Sequence, residues 1–159
     1  CRNNAPLFRT ALRFLGAGRF AQLIGNDIGK NLLKIMKKFG PGDMPQEVVL
    51  EKIEEWKEKR LLKSRSPESI TDQAECLIIF AEAAPNLNGA MAYAEAIFNS
   101  QGPIKLMTIH KSKGLEFENV FLLDKELIRR GKGQEDNLLY VAITRAKQSL
   151  TYIDTKGFE

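Results

Sequence analysis

Two stretches in the last third of the chain concentrate groups that handle phosphate and charge. "LMTIHKSKGLEF" (Leu106–Phe117) holds the single histidine, His110, together with Thr108, Lys111, Lys113, Gly114 and Glu116. "QEDNLLYVAITRAK" (Gln134–Lys147) carries Arg145 near its end. Lysine offers phosphate a point charge, arginine a planar fork that matches two oxygens at once. Glycine lets backbone come close to a ligand, and a carboxylate accepts a hydrogen bond from a hydroxyl. Each residue also has an ordinary use: lysines are solvated, a glycine ends a turn, and an arginine caps its own helix C-terminus. Position argues for a site, because ligands of open α/β sheets gather beyond the carboxyl ends of strands, and this polar cluster follows directly on the apolar run "IKLMTIH".

The elements that must position these groups follow from periodicity. Asn4 is placed as an N-cap and Pro6 in the first turn of a helix with Leu7, Ala11, Leu12 and Leu15 at helical spacing, stopped by Gly16 and Gly18. Only Cys1 and Arg2 precede it, so the first strand of an α/β unit is expected upstream of this sequence. Arg19–Gly25 reads as a short strand and Gly29–Phe39 as an amphipathic helix closed by "GPGD". Residues 43–100 then read as helix after helix. Asp43 with Gln46 has capping-box spacing ahead of Val49, Ile53 and Trp56; Ser66-Pro67 and Thr71 introduce "DQAECLIIFAEAA", and Asn88 introduces "GAMAYAEAIFNS".

Strands return at Ile104–His110, Asn119–Leu123 and "SLTYI" (Ser149–Ile153), separated by a helix with Leu138, Leu139, Val141 and Ala142 facing inward. Alternation of strand and helix predicts an α/β fold, a parallel sheet flanked by helices with a small helical insertion. The expected division is 1–42 with 101–159 as the sheet domain and 43–100 as the insertion. Val120, Phe121 and Leu122 are expected buried in a central strand beside the strand of Leu106 and Thr108. Arg145 is expected to emerge at its helix end with a free guanidinium.

Composition sets wide bounds. A chain of 159 residues, 43% hydrophobic, suffices for one compact domain. The 24 Lys and Arg against 20 Asp and Glu give a net charge of +4, which permits a nucleic-acid partner without requiring one. Cys1 and Cys76 have no metal-ligand spacing, which fits reduced thiols, and no apolar run is long enough to cross a bilayer; a cytoplasmic setting is expected. "GNDIGKN" (Gly25–Asn31) follows a strand and opens a helix as a phosphate loop would. It has three residues between its glycines where that loop needs four, and Asn31 stands where Ser or Thr would hold magnesium. A plain turn feeding a helix explains it better, and a self-sufficient nucleotidase using Lys30 is the weakest reading.

Taken together, "IKLMTIHKSKGLEFENVFLL" resembles motif V and "QEDNLLYVAITRAK" motif VI of the UvrD/Rep/PcrA-like superfamily-one helicases. "CRNNAPL" is similar to their motif IV, and "RFAQLIGNDIGKNLLKIMKKF" matches the following segment in layout. The resemblance implies the second of two RecA-like motor domains, with ATP in the cleft between them and the phosphate loop and magnesium-binding acid on the first, absent domain. It implies that Arg2 and Arg145 reach the γ-phosphate as arginine fingers, that Glu116 accepts from the ribose, and that Gly114 admits the nucleotide. Thr108 and His110 would couple the nucleotide site to single-stranded DNA, with Lys111 and Lys113 adding phosphate attraction or facing solvent. Implied for the whole protein are ATP with Mg2+, none held by this chain alone, and 3′ to 5′ movement on single-stranded DNA; no metal ligand and no membrane partner are expected. The chain departs from the family in its short helical segment and in Gln134, Glu135 and Asp136, where acids followed by an arginine are usual. A helicase-like binding module without ATPase activity is the alternative.

Overall fold

The computed structural model describes residues 1–25, 27–129, 131 and 133–155. It divides into two compact units, Cys1–Leu7 with Met107–Glu159, and Phe8–Leu106.

The second of these is largely helical. Helix α1 (Ala5–Gly16) starts directly after Asn4 and is followed by β1 (Ala21–Leu23), α2 (Asp27–Met36), α3 (Gln46–Leu61), α4 (Pro67–Glu82), α5 (Leu87–Asn99) and β2 (Ile104–Leu106). The rings of Phe8, Phe80 and Phe98 meet pairwise at 5.4 to 5.6 Å between centroids, two of the three pairs edge-on, which is the arrangement favoured by ring quadrupoles. Around them Leu32, Met36, Val49, Ile53, Leu77 and Leu87 are fully buried. Because α2 packs on α4 and α5, and β1 on α5, the segment 8–42 shares one core with the helices that follow it.

Two expected caps are realised differently. No Asp43–Gln46 capping box forms: α3 opens on Pro45 without a side-chain cap. The Gln46 amide instead donates to the carbonyls of Ala81, Glu82 and Ala84, each at 3.0 Å, and so satisfies the end of α4. Ala81 and Glu82 lie in the last turn of α4, where carbonyls run short of intrahelical donors, and Ala84 lies just beyond it. Helix α5 is capped by Asn86, whose side chain accepts from the Gly89 N–H at 2.9 Å, and Asn88 lies inside the helix. The "GNDIGKN" segment is helical from Asp27 onward, with Lys30 exposed on α2, so no loop is left to curl around a phosphate.

The other unit contains a 3-10 turn (Ile109–Ser112), β3 (Phe117–Leu123), a second 3-10 turn (Lys125–Leu127), α6 (Gln134–Ile143) and β4 (Ala146–Ile153). Its core is Ile109, Leu122, Ile128, Leu138 and Ala142, with Leu139, Val141 and Leu150 packed against it, so α6 turns the predicted face inward.

Both strand pairs are parallel, as expected of this α/β fold, but they lie in two two-stranded sheets, β1 with β2 and β3 with β4. The expectation of one sheet with the 104–110 strand beside 119–123 is therefore corrected. The reason is local: β2 ends at Leu106, and the Thr108 carbonyl accepts from the N–H groups of Lys111 and Ser112, turning the chain into the 3-10 turn that carries His110. Burial along β3 is uneven, with the successive residues Leu122 and Leu123 both buried. Leu122 enters the core at 2% exposure, Val120 is half-buried, and Phe121, on the opposite face, is 60% exposed.

Gly29 lies inside α2, where alanine would ordinarily be favoured by about 1 kcal/mol. A Cβ there would sit 2.7 Å from the Phe98 ring, inside the aromatic cluster. Gly29→Ala is accordingly expected to destabilise by about 1–3 kcal/mol through overpacking, read as a lower denaturant midpoint. A variant as stable as the parent would show that Phe98 yields freely and that the cluster is not close-packed.

Candidate functional site

The site is built on the loop from Thr108 to Phe117 and on the two ends of α6, all within one unit. The Ile109 N–H donates to the Cys1 carbonyl at 2.9 Å, which fixes Arg2 beside the 3-10 turn. Arg2 reaches the first turn of α6: its Nε donates to both carboxylate oxygens of Glu135 at 3.1 and 3.2 Å, and Nη2 donates to Oε1 at 2.9 Å. Both side chains are partly shielded, at 25% and 17% exposure, so the pair is worth more than a surface ion pair.

His110 stands in the field of this pair. Its pKa is lowered, first by partial burial and then by the positive charges of Arg2 and Lys113, with Glu135 opposing. Arg2, His110, Lys113 and Glu135 thus form one electrostatic neighbourhood. Lys111 and Lys113 are exposed, and Thr108 is half-buried at the start of the 3-10 turn.

A second neighbourhood lies where the loop enters β3. Gly114 has φ +80° and open space around its missing Cβ, so glycine is needed there for backbone conformation rather than for a close approach within the chain. The exposed Glu116 carboxylate is 3.7 Å from the Lys147 ammonium. Arg145 does not present a free guanidinium, and that expectation is corrected. Its Nε donates to the Val141 carbonyl at 3.0 Å, Nη1 to the Leu115 carbonyl at 2.9 Å, and Nη2 to the Thr144 hydroxyl at 3.0 Å. The reason is position: two residues past the end of α6, the side chain folds back over carbonyls the helix leaves unsatisfied. Of five guanidinium N–H groups, two remain for another acceptor.

The sequence thus brings Arg2, His110 and Lys113 together in one neighbourhood, and Gly114, Glu116 and Arg145 in the other. Glu135 escaped notice as a partner for Arg2, because acids in a helix first turn are common for dipole reasons alone. For magnesium the donors here do not fit. The carboxylates of Asp124, Glu126 and Asp154 approach one another, but both oxygens of buried Asp124 accept from the N–H and hydroxyl of Thr155 at 2.7 Å, an anchor for the end of β4.

Residues 50–157 match the UvrD-like helicase C-terminal domain family. The chain belongs to that family, and the match takes in both long motifs. Among curated relatives, the putative ATP-dependent DNA helicase YjcD of Bacillus subtilis (strain 168) is 41% identical over 75 residues, covering 38% of this chain and 10% of that protein. DNA helicase II of Escherichia coli (strain K12) is 40% identical over 68 residues, 35% of this chain and 9% of that protein. The ATP-dependent DNA helicase Rep of the same strain is 43% identical over 58 residues, 31% and 9% respectively. The matched stretch spans about a tenth of the length of these relatives. No helix among the described residues is long and apolar enough to cross a membrane.

The sole histidine gives a direct reading of the Arg2 neighbourhood. By NMR, His110 is expected to titrate below the ordinary 6.5, moving up in Arg2→Ala and further down in Glu135→Gln. With the folded-state pKa depressed, the unfolded chain binds more protons between that pKa and about 6.5, so stability falls as pH drops from about 6.5 through the folded-state pKa. A histidine that ignores both substitutions would show that the four groups do not share a field.

Proposed function

We propose that this chain is the second RecA-like motor domain of an ATP-dependent DNA helicase, in which residues 1–42 and 101–159 form the motor domain and 43–100 a reduced helical insertion. It completes an ATP site and a single-stranded DNA track together with a first RecA-like domain of the same polypeptide, which supplies the phosphate loop and the acid that holds Mg2+. The observation that carries this reading is the convergence of residues from the motif-like segments on one loop, with Arg2 paired along one edge only.

On this reading ATP is the substrate, and the chain contributes charge and shape to one wall of its site. Arg2 and Arg145 stabilise charge developing on the transferred phosphoryl, Glu116 accepts from the ribose, and the conformation of Gly114 brings the backbone to the nucleotide. Lys111 and Lys113 raise the local positive potential. Thr108 and His110, on the same turn, link the nucleotide to the DNA track, along which movement runs 3′ to 5′. With one wall of a two-walled site, the chain alone hydrolyses ATP no faster than buffer and binds nucleic acid weakly, with strong salt dependence.

A second reading, a helicase-like binding module without ATPase activity, draws on the commitment of the Arg145 guanidinium to three acceptors of its own unit. The complete protein separates the two. Under the motor reading, Arg2→Ala is expected to lower DNA-stimulated ATPase about a thousandfold while ATP binding falls much less, with a lower melting temperature because Glu135 loses its partner. Arg145→Ala is expected to lose comparable turnover and also to melt earlier, because the Leu115 and Val141 carbonyls lose their donor. Arg145→Lys should rescue little, since an ammonium cannot fork. Near-normal turnover in both alanine variants, whatever their melting temperatures, would leave the binding module.

A further inference from the structure

A guanidinium has two edges that can hold an oxyanion in a bidentate manner: a side-on edge formed by Nε and one terminal nitrogen, and an end-on edge formed by Nη1 and Nη2. Glu135 takes the side-on edge of Arg2 through Nε and Nη2. Nη1 has no partner among the described residues, and Nη2 uses only one of its two N–H groups. The end-on edge is therefore intact. Arg145 differs, since Nε, Nη1 and Nη2 each already donate within the unit.

From this we infer that Glu135 is a positioning residue: it clamps the side-on edge of Arg2 and holds the end-on edge ready for a polyphosphate oxyanion. The inference rests on the reading of Arg2 as a phosphate-contacting group. An unclamped arginine must order a long, rotamer-rich side chain when it meets its ligand. Here that ordering is completed in advance, by a carboxylate borne on the rigid first turn of α6 and by the Ile109–Cys1 backbone bond that fixes the base of the side chain. His110 feels the positive charges of both Arg2 and Lys113, so its ring reports on the field an arriving anion would meet.

A carboxylate beside an anion site also repels the anion, and the test must separate this field effect from positioning. Inorganic triphosphate is titrated into the 159-residue chain and followed through the imidazole signals of the single histidine, His110. Affinities are compared for the parent, Arg2→Lys, Glu135→Ala and the double variant. The repulsion removed by Glu135→Ala is present in both Arg2 and Arg2→Lys backgrounds and cancels in the comparison, whereas orientation of the fork matters only for arginine. The expected result is that Glu135→Ala is worse by about three- to tenfold in the arginine background than in the lysine background, the ordering cost of one long side chain. Equal effects in the two backgrounds, with Arg2→Lys itself weaker than the parent, would overturn the positioning role alone. Binding to one wall alone is expected to be weak, so the titration is carried to high triphosphate at constant ionic strength; His110 signals that do not move even there, or that move identically in Arg2→Lys, would overturn the phosphate-contacting reading beneath it. Melting curves confirm that all four proteins fold.

Discussion

The parallel pairing of β3 with β4 is the constraint from which the arrangement of this unit follows. Two parallel strands need a crossover between them, and here α6 supplies it. Parallel strands also begin at the same end. The Phe117 N–H opens the ladder by donating to the Arg145 carbonyl at 2.9 Å, so the loop entering β3 and the residues leaving α6 are forced together. That juxtaposition puts Leu115 within reach of the Arg145 guanidinium and Glu116 opposite Lys147. At the far end of the same pair, Asp124 and Thr155 tie the strand ends together through two 2.7 Å hydrogen bonds. One end of the sheet gathers the candidate functional groups while the other is closed by a structural anchor.

Much of this was legible in the sequence because it depends on local pattern. The apolar face of α6, the break after Gly16 and the run of helices between 43 and 100 are periodicities of 3.6 that tertiary structure has no reason to override. What the pattern could not supply were decisions made at long range. Asp43 and Gln46 have the spacing of a capping box, yet the Gln46 amide reaches the carbonyls at the end of α4, a contact made across 35 to 38 residues of chain. "IKLMTIH" has the apolarity of a strand throughout, but Ile109 is buried as part of a turn, not of a ladder. Hydrophobicity reports that a residue is inside, and leaves open which element carries it there.

The two arginines show the same limit at the level of the site. Motif resemblance treats Arg2 and Arg145 alike, whereas the structure gives them different environments. Arg145 is held by two main-chain carbonyls and a hydroxyl, partners that come with the helix end and the parallel ladder. Arg2 is held by a single carboxylate 133 residues further along the chain, a contact no spacing rule can anticipate.

Neutral carbonyls and a carboxylate also leave an arginine in different electrostatic states. Carbonyl acceptors fix geometry while leaving the full positive charge to be felt beyond the contact, so Arg145 stiffens its loop at no cost to the local potential. Glu135 neutralises much of the field of Arg2, Lys113 adds positive charge felt at His110, and the lowered pKa of His110 disfavours its charged form. An arginine held in this way projects little field at a distance and has the orientation of its remaining N–H groups already set.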